Sequence, residues 1–288
     1  MLKINNDNIK VVVSDIDGTM CQYTEDGERF ISPGILKMIK ELSDEKIYFV
    51  LNTGNSVPMM DDFSKSYNAG KSKYLKYFVG LNGNVIHDFS TSISNVVNLI
   101  PSNIVEELYK SLLPLKALIA ITSKDGWVQY LQGHGKVEDV TSFIGLDNEK
   151  QWKNIDEMKS FESSPHITIK VNNPKIKEAV LGVANKYSDL IAVSWWSEDG
   201  VDINIKDSNK YSGLNSLIKI LNENEGEDIS IDNVVYFGDQ NNDMSVFDNI
   251  KYAIAMGNAI ETIKAKAFAI TDSYKVDGVA KYIDSIKI

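Results

Sequence analysis

The chain has 288 residues, enough for one large domain or two ordinary ones, and 43% hydrophobic with 24% charged residues is a globular composition. Its formal net charge of −10 argues against nucleic acid and anionic membranes as main partners, because both need a cationic face. Arg29 is the only arginine, so lysine, backbone N–H groups, hydroxyls or a metal would have to hold any bound phosphate.

The single cysteine, Cys21, excludes an internal disulfide and fits a reducing compartment. It has no neighbouring histidine or basic group to activate it, so we expect a packed thiol. The first residues lack the apolar segment of a signal peptide, and no apolar run is long enough to span a bilayer. We therefore expect a cytoplasmic protein without a membrane partner.

A short apolar strand opens the first predicted domain and ends in acidic residues. Residues 11–13 are three valines preceded by Ile9, which is typical of a strand buried on both faces. Asp15 and Asp17 follow two positions apart, and Gly18 allows the backbone to turn. Two acids at the end of a buried strand cost free energy unless a cation or a reaction needs them. Asp-Gly is also a common turn dipeptide, so DxDGT alone leaves a simple turn open.

A strand, helix, strand pattern follows this turn and the polar loop after it. Ser32-Pro33 predicts a helix start, with Ser as N-cap. Residues 47–51 are typical of a second buried strand, parallel to the first, which ends at Thr53 and Gly54. Residues 57–67 favour a helix. A third apolar run, 77–81, ends at Asn82-Gly83, a hairpin signal that predicts an antiparallel strand over 85–87.

Between residues 99 and 202 the pattern changes to strands joined partly by tight turns, with helices between them. The predicted helices are 102–113 and one from Asn173-Pro174, a polar, helix-prone stretch follows residue 131, and the predicted strands are 117–121, 127–131, 166–171, 191–196 and 201–205. The opening pattern then resumes with a helix over 210–222, strands at 234–237, 253–256 and 267–271, and a last helix from 276. We predict an α/β parallel-sheet domain from residues 1–98 and 203–288, with an inserted α+β domain at 99–202.

Polar residues follow three of the predicted buried strands: Asp15 and Asp17, Thr53 and Gly54, and the segment 239–243. In open parallel sheets ligands bind beyond the carboxyl ends of the strands, so these groups should converge. They are rich in carboxylates, whereas the three histidines, at 87, 134 and 166, show no zinc-binding pattern. Hard oxygen ligands of this kind favour Mg²⁺.

Lys210 stands at a predicted helix start, where its ammonium can reduce the repulsion between a carboxylate and a phosphate dianion. Lys206 is a rival for this role. The Thr53 hydroxyl and the Gly54 N–H can donate to phosphoryl oxygens, although Thr53 also fits an ordinary turn. Asn82 either reaches the same site or only closes its hairpin.

Four motifs in this order, DIDGT, Thr53-Gly54, Lys210 and GDQNND, resemble those of the haloacid dehalogenase superfamily of phosphotransferases. The segments VDINIKDSNK, VVYFGDQNND, AIAMGNA and DGVAKYI are similar to those of its Cof-like branch. The resemblance implies a Rossmann-like three-layer core with a parallel sheet, and an αβ cap inserted between the second and third motifs. It also implies a Mg²⁺-dependent phosphatase that hydrolyses small phosphorylated metabolites, such as sugar phosphates, through an aspartyl-phosphate.

By the same resemblance, each motif residue has an expected role. Asp15 would be the nucleophile, and Asp17, buried among acidic neighbours, would donate a proton to the leaving oxygen and later activate water. The residues expected to serve the metal are Asp15, the Asp17 backbone carbonyl, Asp239 and, through a water, Asp243. The residues expected to hold the phosphoryl group are Thr53, Gly54, Lys210 and Asn242.

Two positions depart from the family pattern: Asn55 stands where the family often has Arg, and Tyr211 where it often has Gly. These two departures weaken any inference of the substrate from a relative. A phosphomutase would use the same aspartyl-phosphate, but the large insertion favours hydrolysis. A non-catalytic phospho-ligand-binding module would have no need of Asp17 as a second acid. Trp195-Trp196 either line a substrate pocket or form one core and one surface residue of a strand.

Overall fold

The computed structural model of the protein describes residues 1–132, 152–195 and 198–288. The chain divides into two compact units. The first, called the core unit below, comprises Met1–Gly54, Asp61–Ile93 and Asn209–Ile288. The second, the insert unit, comprises Asn55–Met60 and Ser94–Ser208. His134, Trp196 and most of the stretch predicted to be helix-prone lie outside the described residues.

The strands are β1 (Leu2–Ile4), β2 (Asp7–Ile9), β3 (Val11–Ser14), β4 (Gln22–Tyr23), β5 (Arg29–Phe30), β6 (Tyr48–Asn52), β7 (Tyr77–Gly80), β8 (Val85–Asp88), β9 (Ile93–Val96), β10 (Leu118–Thr122), β11 (Gln129–Gln132), β12 (Trp152–Asn154), β13 (Ile167–Lys170), β14 (Ile191–Trp195), β15 (Gly200–Ile205), β16 (Val234–Gly238), β17 (Tyr252–Ala255) and β18 (Ala269–Ile270). The helices are α1 (Pro33–Asp44), α2 (Val57–Lys65), α3 (Ser102–Leu112), α4 (Pro174–Lys186), α5 (Lys210–Asn224), α6 (Met244–Phe247), α7 (Glu261–Lys264) and α8 (Gly278–Ser285). Across the described part of the chain, none of these helices has both the length and the apolarity that crossing a membrane requires.

An eight-stranded sheet, the core sheet, has the strand order β18-β17-β16-β3-β6-β7-β8-β9. The pairs from β18 to β7 are parallel, and β8 pairs antiparallel with β7. Strands β3, β6 and β16 are buried at every position, so their sequences are apolar runs without polar alternation, and the polar residues Ser14 and Asn52 stand only at strand ends. The predicted parallel α/β sheet and the antiparallel hairpin after Asn82-Gly83 are both confirmed.

Two helix starts in the core unit are set by side-chain caps. The Ser32 hydroxyl accepts a hydrogen bond from the Ile35 N–H, and Pro33 is the first helical residue of α1, as predicted. The Asn209 side chain accepts from the Ser212 N–H, while the Asn209 N–H donates to the Ser212 hydroxyl oxygen. This reciprocal cap begins α5 at Lys210.

The loop after the first strand contains structure that the sequence pattern did not indicate. Strands β4 and β5 form a short antiparallel hairpin in which Tyr23 lies directly opposite Arg29. Two residues on each side are too few to show an alternation of polar and apolar residues. Cys21 lies just before this hairpin and is buried, and burial raises the pKa of its thiol, in agreement with the expected packed cysteine.

The insert unit is built on a second sheet with the strand order β12-β11-β10-β13-β15-β14, antiparallel except between β11 and β12. Helices α3 and α4 bury their apolar stripes against alternate residues of this sheet, including Ile104, Val180, Ile119, Ile169 and Ile203. This is the predicted α+β architecture. Its long segment runs from Ser94 to Ser208 in the division into compact units, and the domain bounds 99–202 stay a prediction. Trp195 is 39% exposed, with the Lys177 ammonium 5.1 Å from its ring.

Candidate active site

Three neighbouring strands of the core sheet end in the polar residues that the sequence singled out. Asp15 follows β3, Thr53 follows β6, and Asp239 follows β16. These strands run parallel side by side, and the Asp15 N–H continues the ladder by donating to the Phe237 carbonyl at 3.0 Å. The parallel register therefore brings the three strand ends to one edge of the sheet.

Asp15, Asp239 and Asp243 form a buried acidic cluster at this edge. One carboxylate oxygen from each lies within 4.8 Å of the others. Burial and the charge of Asp243 raise the pKa of Asp15 to about 8, although Lys210 opposes the shift. Burial and Asp243 also raise the pKa of Asp239 to about 6. Burial and the repulsion between neighbouring carboxylates therefore disfavour the charged forms of Asp15 and Asp239 in this cluster.

Lys210 is the cation of this cluster and is fully buried. Its ammonium lies 2.9 Å from Asp15 Oδ1 and 2.6 Å from Asp243 Oδ1. Burial alone would lower the pKa of Lys210, but the two carboxylates raise it above its usual value. The ammonium therefore stays charged. The rival Lys206 is exposed.

The backbone around Lys210 is held by close packing. The Asn52 side-chain N–H donates to the Lys210 carbonyl at 2.9 Å. Gly213, one turn along α5, lies against the turn at Gly83, where a Cβ on Gly213 would lie 2.4 Å from the Gly83 Cα. Because only glycine permits this approach, the two glycines allow α5 to bring Lys210 to the cluster.

Asp243 uses both of its carboxylate oxygens in hydrogen bonds. Oδ1 accepts from the Tyr236 hydroxyl at 2.6 Å and from the Lys210 ammonium at 2.6 Å. Oδ2 accepts from the N–H groups of Asp239 and Gln240 at 2.8 and 3.0 Å. Four donors fill the usual acceptor positions of a carboxylate. Asp243 therefore orients Lys210 and the Asp239 backbone, and Tyr236 supports it.

Asp239 is oriented by Thr19, which lies in the turn after β3, and by Asn258, which lies after β17. Its Oδ1 accepts from the Thr19 hydroxyl at 3.0 Å, and its Oδ2 lies 3.3 Å from the Asn258 side-chain nitrogen. Asn258 also donates to the Gly18 carbonyl at 2.8 Å. Gly18 has a φ of +78°, and a Cβ there would lie 2.3 Å from Asp239 Oδ2. The glycine of the DIDGT motif is therefore required by its backbone conformation and by contact with Asp239.

Asp17 is not part of the buried cluster. Its side chain is 47% exposed, so the expected burial of Asp17 is wrong. The Tyr23 hydroxyl donates to Asp17 Oδ1 at 2.6 Å, and Arg29 Nη1 lies 3.4 Å from Oδ2. Burial and the Asp17 carboxylate raise the pKa of Tyr23. Tyr23 is therefore a protonated hydrogen-bond donor at neutral pH.

The residues predicted to bind phosphate come from three places in the chain: Thr53 and Gly54 follow β6, Lys210 begins α5, and Asn242 lies in the turn before Asp243. Thr53 is buried, its N–H donates to the Val79 carbonyl, and its own carbonyl accepts from the Asn82 N–H. A Cβ on Gly54 would lie 3.3 Å from the Asn82 amide, so Asn82 reaches the Thr53-Gly54 loop as well as closing its hairpin. Asn242 is exposed in the turn before Asp243.

A family model described as haloacid dehalogenase-like hydrolase matches residues 12–283. The chain belongs to the haloacid dehalogenase-like hydrolase family. It is 24% identical over 284 residues to the 5-amino-6-(5-phospho-D-ribitylamino)uracil phosphatase YcsE of Bacillus subtilis, covering 96% of this chain and 95% of the relative.

Solved structures of this family share the fold. A haloacid dehalogenase-like hydrolase from Bacteroides thetaiotaomicron has a TM-score of 0.80 at 20% identity, over 97% of this chain and 100% of that one. The subclass IIB sugar phosphatase BT4131 has a TM-score of 0.74 at 17% identity, over 96% of this chain and 98% of that one. The predicted family, its Rossmann-like core with an inserted αβ domain, and the enzyme class of phosphatase are confirmed.

Several residues in and around this acidic cluster were not singled out by sequence reasoning: Thr19, Tyr23, Tyr236 and Asn258. Thr19 lies inside the DIDGT motif and Asn258 inside the quoted segment AIAMGNA, so a signal existed for both. Tyr236 lies within an apolar strand, where the sequence gives no reason to distinguish it from any other buried aromatic residue. Only its hydrogen bond to Asp243 shows its role. Tyr23 stands in a polar loop without a pattern.

Proposed function

We propose that this protein is a Mg²⁺-dependent phosphatase that hydrolyses phosphate monoesters of small metabolites through an aspartyl-phosphate on Asp15. The observation that carries the proposal is the buried Asp15 carboxylate at the end of β3, with the Lys210 ammonium 2.9 Å away. The ammonium reduces the charge repulsion that a phosphate dianion meets on approaching a carboxylate.

The donor set fits Mg²⁺. The cluster offers only oxygen ligands, and the raised pKa values of Asp15 and Asp239 indicate that a cation is favoured there. Asp15, Asp239 and the Asp17 backbone carbonyl would hold the metal, and Asp243 would act indirectly, because its oxygens already accept four hydrogen bonds. Bound Mg²⁺ would neutralise part of the charge on the phosphoryl group and on Asp15.

The proposed reaction has two halves. In the first, an Asp15 carboxylate oxygen attacks phosphorus, the bond from phosphorus to the leaving oxygen breaks, and Asp17 gives its proton to that oxygen. In the second half, a water molecule attacks the same phosphorus, and Asp17 takes a proton from that water. The bond to Asp15 then breaks and inorganic phosphate leaves. Asp15 and Asp17 return to their starting protonation states.

The remaining motif residues are proposed to hold the phosphoryl group. Lys210 is bound to Asp15, so its ammonium lies beside any group that Asp15 attacks. The Thr53 hydroxyl, the Gly54 N–H and the exposed Asn242 side chain would donate to the phosphoryl oxygens as charge shifts toward them.

The insert unit is proposed to be the cap that selects the substrate. Its position in the chain supports this, because it separates the Thr53 motif from the Lys210 motif. Two of the similar proteins are named for a phosphorylated ribitylaminouracil and for sugar phosphates, and a third, which matches 32% of this chain, is named for pyridoxal phosphate. We therefore propose a small phosphorylated metabolite of this polarity as the substrate.

The test is phosphate release from a panel of phosphorylated metabolites, with Mg²⁺ and with a chelator, for the wild type, Asp15→Asn and Asp44→Asn. Asp44 is an exposed aspartate of α1 that serves as the matched control. We expect Mg²⁺-dependent release by the wild type and Asp44→Asn and none by Asp15→Asn, because an amide cannot form the acyl phosphate.

A second measurement follows the intermediate. The intact mass of acid-quenched enzyme should show one added phosphoryl group, and mass analysis of its peptides should place that group on the peptide that contains Asp15. Turnover by Asp15→Asn would refute the assignment of the nucleophile. A phosphorylated Asp15 with no release of inorganic phosphate from any ester would favour a phosphomutase.

A further inference from the structure

The β4–β5 hairpin carries two side chains that both contact Asp17. The Tyr23 hydroxyl donates to Asp17 Oδ1 at 2.6 Å, and the Arg29 guanidinium lies 3.4 Å from Oδ2. Tyr23 and Arg29 are directly opposite each other in the hairpin, so their side chains extend from the same face. Side chains from one face of the hairpin therefore contact both carboxylate oxygens of Asp17.

An exposed carboxylate needs such contacts if it is to transfer protons. Asp17 is about half exposed and lies in the turn after β3, so contacts from the hairpin help to fix the rotation of its side chain. Proton transfer in catalysis requires the acid within hydrogen-bond reach of the leaving oxygen, and a displacement of about 1 Å can cost about 100-fold in rate. Two charge-assisted contacts to different oxygens restrict both the position and the rotation of the carboxyl group.

The hairpin is itself anchored, so Tyr23 and Arg29 have defined positions. The Gln22 side-chain nitrogen donates to Asp277 Oδ1 at 2.9 Å, beside the start of α8. The Tyr23 ring packs edge-on against Tyr274, with ring centroids 6.2 Å apart. Arg29, the only arginine of the chain, lies 6.0 Å from the centre of the Phe63 ring.

We infer that Tyr23 and Arg29 are positioning residues for Asp17, an inference that rests on the proposed function. When Asp17 gives its proton to the leaving oxygen, the bond from phosphorus to that oxygen breaks and Asp17 becomes a carboxylate. Tyr23 and Arg29 donate to this carboxylate, which favours the transfer. They then hold it in place while it takes a proton from the attacking water.

The dependence of rate on the leaving group tests this inference. 4-Nitrophenyl phosphate releases a phenolate that needs no proton, whereas an alkyl phosphate releases an alkoxide that does. Tyr23→Phe and Arg29→Gln should each lower kcat for the best alkyl phosphate of the panel by about tenfold or more, since general acid catalysis supplies about 10²–10⁴-fold. With 4-nitrophenyl phosphate, the burst of nitrophenolate reports the first half-reaction alone. The rate constant of this burst should change by less than about threefold in either variant.

The matched control is Tyr187→Phe, which removes another tyrosine hydroxyl that donates to a carboxylate, Glu107, at 2.6 Å. Tyr187→Phe should leave the rates with both substrates unchanged. Arg29→Lys keeps the charge and should recover part of the alkyl phosphatase activity lost in Arg29→Gln. Circular dichroism spectra of all variants should match that of the wild type.

Equal losses with both substrates would indicate a merely structural role and overturn the inference, as would unchanged or faster turnover of the alkyl phosphate. Failure of the proposed function looks different, because the wild type itself would then release phosphate from neither ester.

Discussion

Replacing Lys210 with Met should be among the most destabilising single changes in the core unit. The substitution keeps most of the side-chain volume but removes a fully buried ammonium from between Asp15 and Asp243. Removing one partner of a buried ion pair costs about 3–5 kcal/mol, because the other charge stays buried without compensation. Asp243 keeps three other donors and Asp15 can take up a proton. We therefore expect Lys210→Met to lower the free energy of unfolding by about 3 kcal/mol, the lower end of this range.

The assay is urea and thermal unfolding in a chelator, followed by circular dichroism, with Lys219→Met as the control. Lys219 lies on the same helix but is 72% exposed, and its contact with Glu223 is a 3.8 Å surface pair. Its replacement should cost less than about 0.5 kcal/mol. The Lys210→Met variant should melt about 6–12 °C below the wild type.

Tryptophan fluorescence offers a second probe, because all four tryptophans fall within residues 94–208, the long segment of the insert unit. If the unfolding midpoint followed by circular dichroism shifts in Lys210→Met while the midpoint followed by tryptophan fluorescence does not, the destabilisation lies in the core unit. If Lys210→Met unfolded at the same urea concentration as Lys219→Met, the buried ion pairs would not hold the cluster together as we argue.

Two further predictions concern Asp239 and the acidic surface. Gly18→Ala should raise the Mg²⁺ concentration for half-maximal activity by about 10-fold or more, because the new Cβ would displace Asp239, whereas Gly27→Ala, with a similar φ of +83° and open space, should not. The Lys76 ammonium lies 2.7 Å from Glu225 and, although burial opposes it, lowers the pKa of that carboxyl. This contact stabilises the fold above about pH 4 and is lost as the pH falls through the folded pKa, so Lys76→Met and wild type should converge in urea midpoint below that pH.

Each of these predictions has an outcome that contradicts it. If the Gly18 and Gly27 variants needed the same Mg²⁺ concentration, backbone strain alone would explain the glycine. A stability difference for Lys76→Met that stayed constant from pH 7 to pH 3 would exclude the Glu225 carboxylate as its source.

Much of this fold can be read from local sequence. Strands β3, β6 and β16 are continuous apolar runs because they are buried along their whole length, and such runs are recognisable without any knowledge of their neighbours. Parallel order then places the residues after each strand at one edge, which is why Asp15, Thr53 and Asp239 could be grouped before any coordinates. The sequence likewise predicts the helix start at Lys210, and the structure adds the Asn209 cap that sets it.

Other features depend on contacts between residues far apart in the chain. Thr19 and Asp239 are separated by 220 positions, and Lys210 and Asp243 by 33. Whether such a pair meets depends on helix packing and side-chain rotation, as in the approach of Gly213 to Gly83. No period or propensity of the sequence reports these distances.

The sequence by itself determined which residue types follow the buried strands, because burial and chain direction act locally and leave a pattern in the order of residues. Only the tertiary structure decided that Asp243 orients Lys210, and that Asp17 lies half exposed against Tyr23 and Arg29. A hydrogen bond needs its two atoms within a few tenths of an ångström of their best separation, and only the packed chain sets distances that finely.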